Sequence, residues 1–265
     1  MRDGSSDTFA CWAKRFVRRE HKDPDTGETL PYRLLVPNKP EGDRGHDPVP
    51  PKLPLVLFLH GAGERGTDNE AQLKNGAAEL LGTDEKQAAF RCVYVLPQCP
   101  LGARWVEVDW AAQTHSFLEE PSRPLRLVLQ LLADMVRWPS VDPARVYVVG
   151  LSMGGFGVFD LLSRCPDGFA AGVSVCGGAD EAQAPHIAHI PVWLFHGADD
   201  LVVSVERSRR MFRALQTRAA PAVSASRYTE YPHQGHDVWT AAFSNPVLLP
   251  WLFAQHTLPT SRRIR

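Results

Sequence analysis

The 265-residue chain predicts an α/β fold built on a mainly parallel sheet, and two features of its pattern carry that prediction. Uninterrupted apolar runs of strand length recur along it, among them Leu55-Val56-Leu57-Phe58-Leu59, Val146-Tyr147-Val148-Val149 and Pro191-Val192-Trp193-Leu194-Phe195. Runs of that kind belong to strands covered on both faces. Between them lie helical patterns with one apolar stripe, so strand and helix alternate and each strand is joined to a parallel neighbour by a crossover. The expected architecture has three layers, with an antiparallel hairpin at the N-terminus and no cap domain. A single domain over residues 1–265 is expected, the hairpin at about 9–36 and the core at about 54–255.

Composition narrows the partners. A 44% apolar content at this length can bury a large core, and a formal net charge of −1 gives no electrostatic footprint for nucleic acid or an anionic membrane. Met1-Arg2-Asp3-Gly4-Ser5-Ser6-Asp7 is not a basic segment leading into an apolar one, and no apolar run reaches the ~18 residues of a spanning helix. A soluble, cytoplasmic protein is the expectation. The five cysteines are scattered and lack C-x-x-C, which reads as free thiols, with a Cys92–Cys99 bridge as the one conceivable pair.

In chain order, Phe9 to Glu20 and Leu30 to Val36 alternate around the turn-rich Asp23-Pro24-Asp25-Thr26-Gly27 and read as the hairpin. Pro37 to Pro54 is a surface loop by its Pro, Gly and Asp content. Leu55 to Leu59 is a central strand ending in His60-Gly61-Ala62-Gly63-Glu64-Arg65-Gly66, a loop whose glycines let backbone N–H groups face a cleft. It has no G-x-x-x-x-G-K-[ST], so a nucleotide phosphate site is not indicated. Asp68 to Leu81 is partly helical, and Cys92 to Leu96 is a strand. Beyond it, Trp105 and Trp110 either cover the core or line an aromatic substrate wall. Pro121 opens a helix with Leu125, Val128, Leu129, Leu132, Met135 and Val136 on one stripe.

Val146 to Val149 then runs into Gly150-Leu151-Ser152-Met153-Gly154, a G-x-S-x-G in which a serine sits on a sharp turn from strand to helix. The helix extends to Cys165. Phe169 to Cys176 and Pro191 to Phe195 are further strands, the second ending in His196-Gly197-Ala198-Asp199-Asp200. Ser204 to Arg218 is an amphipathic helix with Val205, Phe212 and Leu215 inward. Its Arg207-Ser208-Arg209-Arg210 cluster is expected to be a solvated face without function. Ser226 to Tyr231 is the last strand, His233 and His236 follow, and the stretch to Phe253 is helical.

Ser152, an aspartate of the Asp199-Asp200 pair and His236 thus fall just beyond strand ends, in the order Ser, Asp, His. A hydroxyl attacks a carbonyl at neutral pH only if an imidazole takes its proton, and a carboxylate must orient that ring. The negative charge that develops on the carbonyl oxygen needs backbone donors. The N–H of Met153, next after the serine, is one; Ala62 in the glycine loop is the other. Asp199 and Asp180 remain alternatives for the acid, and His233 for the base.

On these segments the chain resembles the α/β-hydrolase superfamily, and within it esterases related to dienelactone hydrolases, phospholipase/carboxylesterases and the prolyl-oligopeptidase catalytic domain. The resemblance runs from about Leu30 to Phe253. It implies an eight-stranded sheet, no cofactor, and hydrolysis through an acyl-enzyme, with Asp200 as the acid in H-G-x-x-D-x-x-V, although the proline usual after that valine is Ser204 here. No metal is expected: His186 and His189 lack H-E-x-x-H and a nearby carboxylate pair. His60 and His196 read as neutral rings bonded to backbone. Only Gly177 to His189 separates the strand after the elbow from the next, too short for a helical lid. An open cleft floored by Trp105 and Trp239 is therefore expected, taking short-chain or aromatic acyl esters, free or polymer-attached. A peptidase or a catalytically silent binding module are the alternatives.

Overall fold

The computed structural model describes residues 13–37, 51–218 and 226–257. Residues 9–12 of the expected hairpin and most of the expected Pro37–Pro54 loop lie outside them. The strands are β1 (Val17–Lys22), β2 (Thr29–Leu35), β3 (Leu53–Leu59), β4 (Val93–Pro97), β5 (Val141–Leu151), β6 (Ala171–Val175), β7 (Val192–Gly197) and β8 (Arg227–Tyr231). They form one eight-stranded sheet in the order β1-β2-β4-β3-β5-β6-β7-β8. β1 and β2 pair antiparallel and β2 joins β4 antiparallel; from β4 to β8 every pairing is parallel. The hairpin is thus the antiparallel edge, as its alternation predicted.

The helices are α1 (Ala77–Gly82), α2 (Asp84–Ala89), α3 (Arg123–Val136), α4 (Met153–Arg164), α5 (Ala184–Ile187), α6 (Glu206–Arg218), α7 (Trp239–Phe243) and α8 (Leu248–Phe253). The two sheet faces carry separate cores. Leu55, Leu57 and Leu59 of β3 point to the face under α3, α4 and α6, with Val128, Phe156 and Met211. Val56 and Phe58, one residue out of phase, point to the face under α1, α7 and α8, with Leu80, Ala242 and Leu252. Because side chains alternate along a strand, burial on both sides demands an unbroken apolar run.

Several boundaries move for local reasons. α3 starts at Arg123, not Pro121, because the Ser122 side chain accepts from the Leu125 amide and caps it. The C-terminal stretch is two short helices separated at Ser244-Asn245-Pro246. α2 and α5, four to six residues long, carry too little periodicity to be read from sequence. Among the described residues no helix is long and apolar enough to cross a membrane.

The arginine cluster of α6 corrects the expectation of a solvated face. Arg207 and Ser208 are fully buried. Arg207 donates to the carbonyls of Ala112 and Ala179, bonds His115, and lies over the Phe156 ring, tying the long loop after β4 to the ends of β6 and α6. Arg209 and Arg210 pair with Glu230 and Glu181. A long side chain with a charged head reaches polar backbone beneath the helix, which helical spacing alone does not reveal.

Candidate active site

The site forms where β5, β7 and β8 end. β5 stops at Leu151, and Ser152 turns the chain into α4 with φ 50° and ψ −118°, a left-handed conformation that costs a non-glycine residue about 1–3 kcal/mol. The turn is held in place from both sides. The Ser152 amide donates to the Val175 carbonyl at the end of β6 at 2.7 Å. Gly154 brings the first turn of α4 so close to β3 that a β-carbon there would lie 1.9 Å from the Leu59 carbonyl oxygen.

The H-G-A-D-D and Q-G-H loops are joined by their backbones, Ala198 N–H to the Tyr231 carbonyl and Asp199 N–H to the Gln234 carbonyl. That junction sets the imidazole between serine and carboxylate. His236 Nε2 lies 2.8 Å from Ser152 Oγ, and its Nδ1 lies 2.7 Å from Asp200 Oδ2. A carboxylate only accepts, so Nδ1 carries the proton and Nε2 is left to accept from the serine hydroxyl. Asp200 Oδ1 accepts the Val202 and Val203 amides at 2.8 and 2.9 Å. Burial would raise the Asp200 carboxyl, but hydrogen bonds from His196, His236 and the Val203 amide outweigh it and hold the group well below the usual carboxylate range. It stays ionised beside the ring.

The alternatives sit elsewhere. Asp199 is exposed and lies 4.0 Å from a still more exposed His233. Asp180 accepts from the Ala182 and Phe117 amides, capping a short turn and pinning the β4 loop. His60 is buried with Nδ1 2.6 Å from the Gly61 carbonyl and Nε2 accepting the Cys99 amide; burial pushes its pKa down to about 4. Cys92 and Cys99 are buried free thiols.

Met153 opens α4 and Ala62 opens a 3-10 turn, Ala62–Glu64. An N–H at the start of a helix has no acceptor within it, so both amides sit at positions that can donate outward. Gly61, beside Ala62, abuts the serine: a β-carbon on it would be 3.6 Å from Ser152 Cβ and 2.7 Å from Leu151 Cδ1. Side chains that sequence reasoning did not single out brace this loop. Buried Gln98 donates to the Glu64 carbonyl and Asp68 Oδ1 and accepts the Asn69 amide, while Asn75 donates to Glu64 Oε1 at 2.6 Å. A glutamine directly at the end of β4 was the one signal available.

The two tryptophans part company. Trp239 is half-buried with its ring edge-on to His236, centroids 5.8 Å apart. Trp105 corrects the expected cleft floor: it is 0% exposed, its Nε1 donates to the His60 carbonyl at 3.0 Å, and its ring packs on His60. An indole sealed from solvent supports the strand end and cannot meet a substrate. Trp105→Ala is accordingly expected to cost about 3–5 kcal/mol in chemical denaturation.

Sheet order, sharp serine turn and the Ser152–His236–Asp200 hydrogen-bonded line together define the α/β-hydrolase fold. No family model matches the chain. A solved thermostable esterase is 35% identical with TM-score 0.82, over 93% of this chain and 64% of that one. The bifunctional acetylxylan esterase/xylanase XynS20E of Neocallimastix patriciarum is 27% identical over 188 residues, 69% of this chain. A ferulic acid esterase structure, 16% identical with TM-score 0.62 over 90% of this chain and 98% of that one, shares the fold. The chain thus spans 64% of the thermostable esterase and 25% of the curated acetylxylan esterase/xylanase. It has the α/β-hydrolase fold and is similar to esterases that share it.

Proposed function

We propose that the chain hydrolyses carboxylic esters through an acyl-enzyme on Ser152. The observation that carries the reading is the continuous line from Ser152 Oγ through His236 to buried, ionised Asp200. In this scheme His236 takes the hydroxyl proton as Ser152 attacks the ester carbonyl. The oxyanion is met by the amides of Met153 and Ala62, and His236 then protonates the departing alcohol. Water repeats the sequence to release the acid. The likeness to esterases supports the same reading.

The acyl group proposed is short-chain or aromatic, and the alcohol is small or part of a polymer. The absence of a long insertion between β6 and β7 supports an open site, and Trp239 beside His236 supplies an aromatic wall. A panel of p-nitrophenyl and cinnamoyl-type esters, run on wild type and Ser152→Ala, tests it. Turnover of acetate and aromatic esters that vanishes in the variant is expected; equal rates on long-chain esters would sink the acyl preference, and retention of activity in the variant would sink the mechanism. Trp239→Ala is expected to raise KM for aromatic acyl esters by about 2- to 10-fold, the range of one aromatic contact, with acetate esters little changed.

A further inference from the structure

The Asp200 carboxylate has a second imidazole on it that the reaction scheme leaves without a role. His196 lies on β7, four residues before Asp200, and is 0% exposed. Its Nε2 is 2.9 Å from the Val203 carbonyl oxygen and 3.1 Å from Asp200 Oδ2, the same oxygen that receives His236 Nδ1. Its Nδ1 is 2.7 Å from Oγ of Ser208, which is buried on α6. Neither a carbonyl nor a carboxylate can donate, so Nε2 bears the ring proton, donates it to the Val203 carbonyl and turns the same edge of the ring to Asp200. Nδ1 is then an acceptor, and the Ser208 hydroxyl donates to it. The line that starts at Ser152 therefore continues past Asp200, through His196, to Ser208.

The other groups around this imidazole leave its role intact. Glu230 is its register partner on β8, and that carboxylate is already held by Arg209 of α6 and by the Tyr228 hydroxyl. Beyond β6, the Cys176 thiol lies within 4.8 Å of a carboxylate oxygen of Asp200 and a ring nitrogen of His236, and burial pushes that thiol up to about 12, so it stays uncharged. Ser208 sits between Arg207 and Arg209 in sequence, yet it turns into the interior while Arg209 turns outward to Glu230.

We propose that His196, fixed in its tautomer by Ser208, is a positioning residue that holds the Asp200 carboxylate and limits its basicity toward His236. The inference rests on the hydrolase reading for its catalytic consequence, though its structural content does not depend on turnover. Two imidazole nitrogens that carry protons lie 2.7 and 3.1 Å from one carboxylate oxygen and disperse its charge. The hydrogen bond from His196 stands first among those that hold the Asp200 carboxyl down against burial. Without it, Asp200 would draw more strongly on the His236 proton and stabilise the imidazolium. The ring would then be neutral only at higher pH, and the carboxylate would have one contact fewer fixing its rotamer.

The test compares wild type with His196→Leu, His196→Gln and Ser208→Ala. His236 protonation is followed by NMR titration and kcat and KM on p-nitrophenyl acetate across pH. His196→Leu is expected to move the His236 midpoint and the acid limb of kcat/KM upward by about half a pH unit or more. It should also lower kcat by about 10- to 100-fold, the range of a lost hydrogen bond to a charged group, with KM within about twofold. His196→Gln, which can place an amide N–H near the Nε2 position, should recover much of the loss. Ser208→Ala removes one oxygen from a buried site and should give a smaller shift in the same direction, so the proposal stands testable even if His196→Leu does not fold. A His236 midpoint unmoved in folded His196→Leu, or unmoved in Ser208→Ala where the leucine variant fails to fold, overturns it. Because the NMR titration needs no substrate, a wild type inert on esters would refute the hydrolase reading and leave this result readable.

Discussion

Replacing Ser152 by alanine is expected to lower kcat on p-nitrophenyl acetate by about 10,000-fold or more, with the circular dichroism spectrum and melting curve of the wild type retained. On the proposed mechanism the hydroxyl 2.8 Å from His236 Nε2 is the attacking group, and among the described residues no other hydroxyl or thiol is hydrogen-bonded to that nitrogen. Ser152→Gly separates chemistry from strain. Both variants lose the hydroxyl, but only glycine adopts φ 50° without penalty. The glycine variant should therefore be as inactive as alanine, yet more stable than it by about 1 kcal/mol in urea unfolding. Equal stability of the two variants would show that the turn carries no strain.

Gly154→Ala is expected to be the most damaging single methyl in the described fold, costing about 3 kcal/mol or more and leaving little soluble protein. The added carbon would lie 1.9 Å from the Leu59 carbonyl oxygen and 2.9 Å from that of His60, backbone atoms at the end of a central strand that cannot swing aside. Relief would require α4 to lift off the sheet. That movement would carry Ser152 and the Met153 amide away from His236 and break the Ser152 bond to Val175. Any folded fraction should therefore be inactive as well. The control is Gly63→Ala, where nothing lies within 4 Å of the new carbon and wild-type stability is expected.

The legible parts of this fold share a physical cause. β3, β5 and β7 could be read because a strand buried on both faces has no choice but an unbroken apolar run, and α3 because its one buried face repeats with the helical period. Ser152, Asp200 and His236 could be placed because each follows such a strand within a few residues, and the ends of parallel strands share one edge of the sheet. The misread parts also share a cause. Arg207 and Ser208 look like members of a charged, exposed run, and Trp105 looks like a loop aromatic free to face a substrate; both readings fail because a neighbour distant in sequence covers the residue.

The layered α/β class, the turn on Ser152 and the order of the serine, aspartate and histidine are thus legible in the chain, because they depend on local periodicity and on strand ends. Packing adds that Asp200, the acid implied by the H-G-x-x-D-x-x-V resemblance, meets His236 while Asp199 and Asp180 do not, that Trp239 and not Trp105 lies against that histidine, and that His196 stands on the far side of the carboxylate. The first two are choices between chemically equivalent side chains. Such choices turn on which side chain the packing of the strand ends brings against His236, a matter of a few ångströms that covering by residues distant in sequence decides.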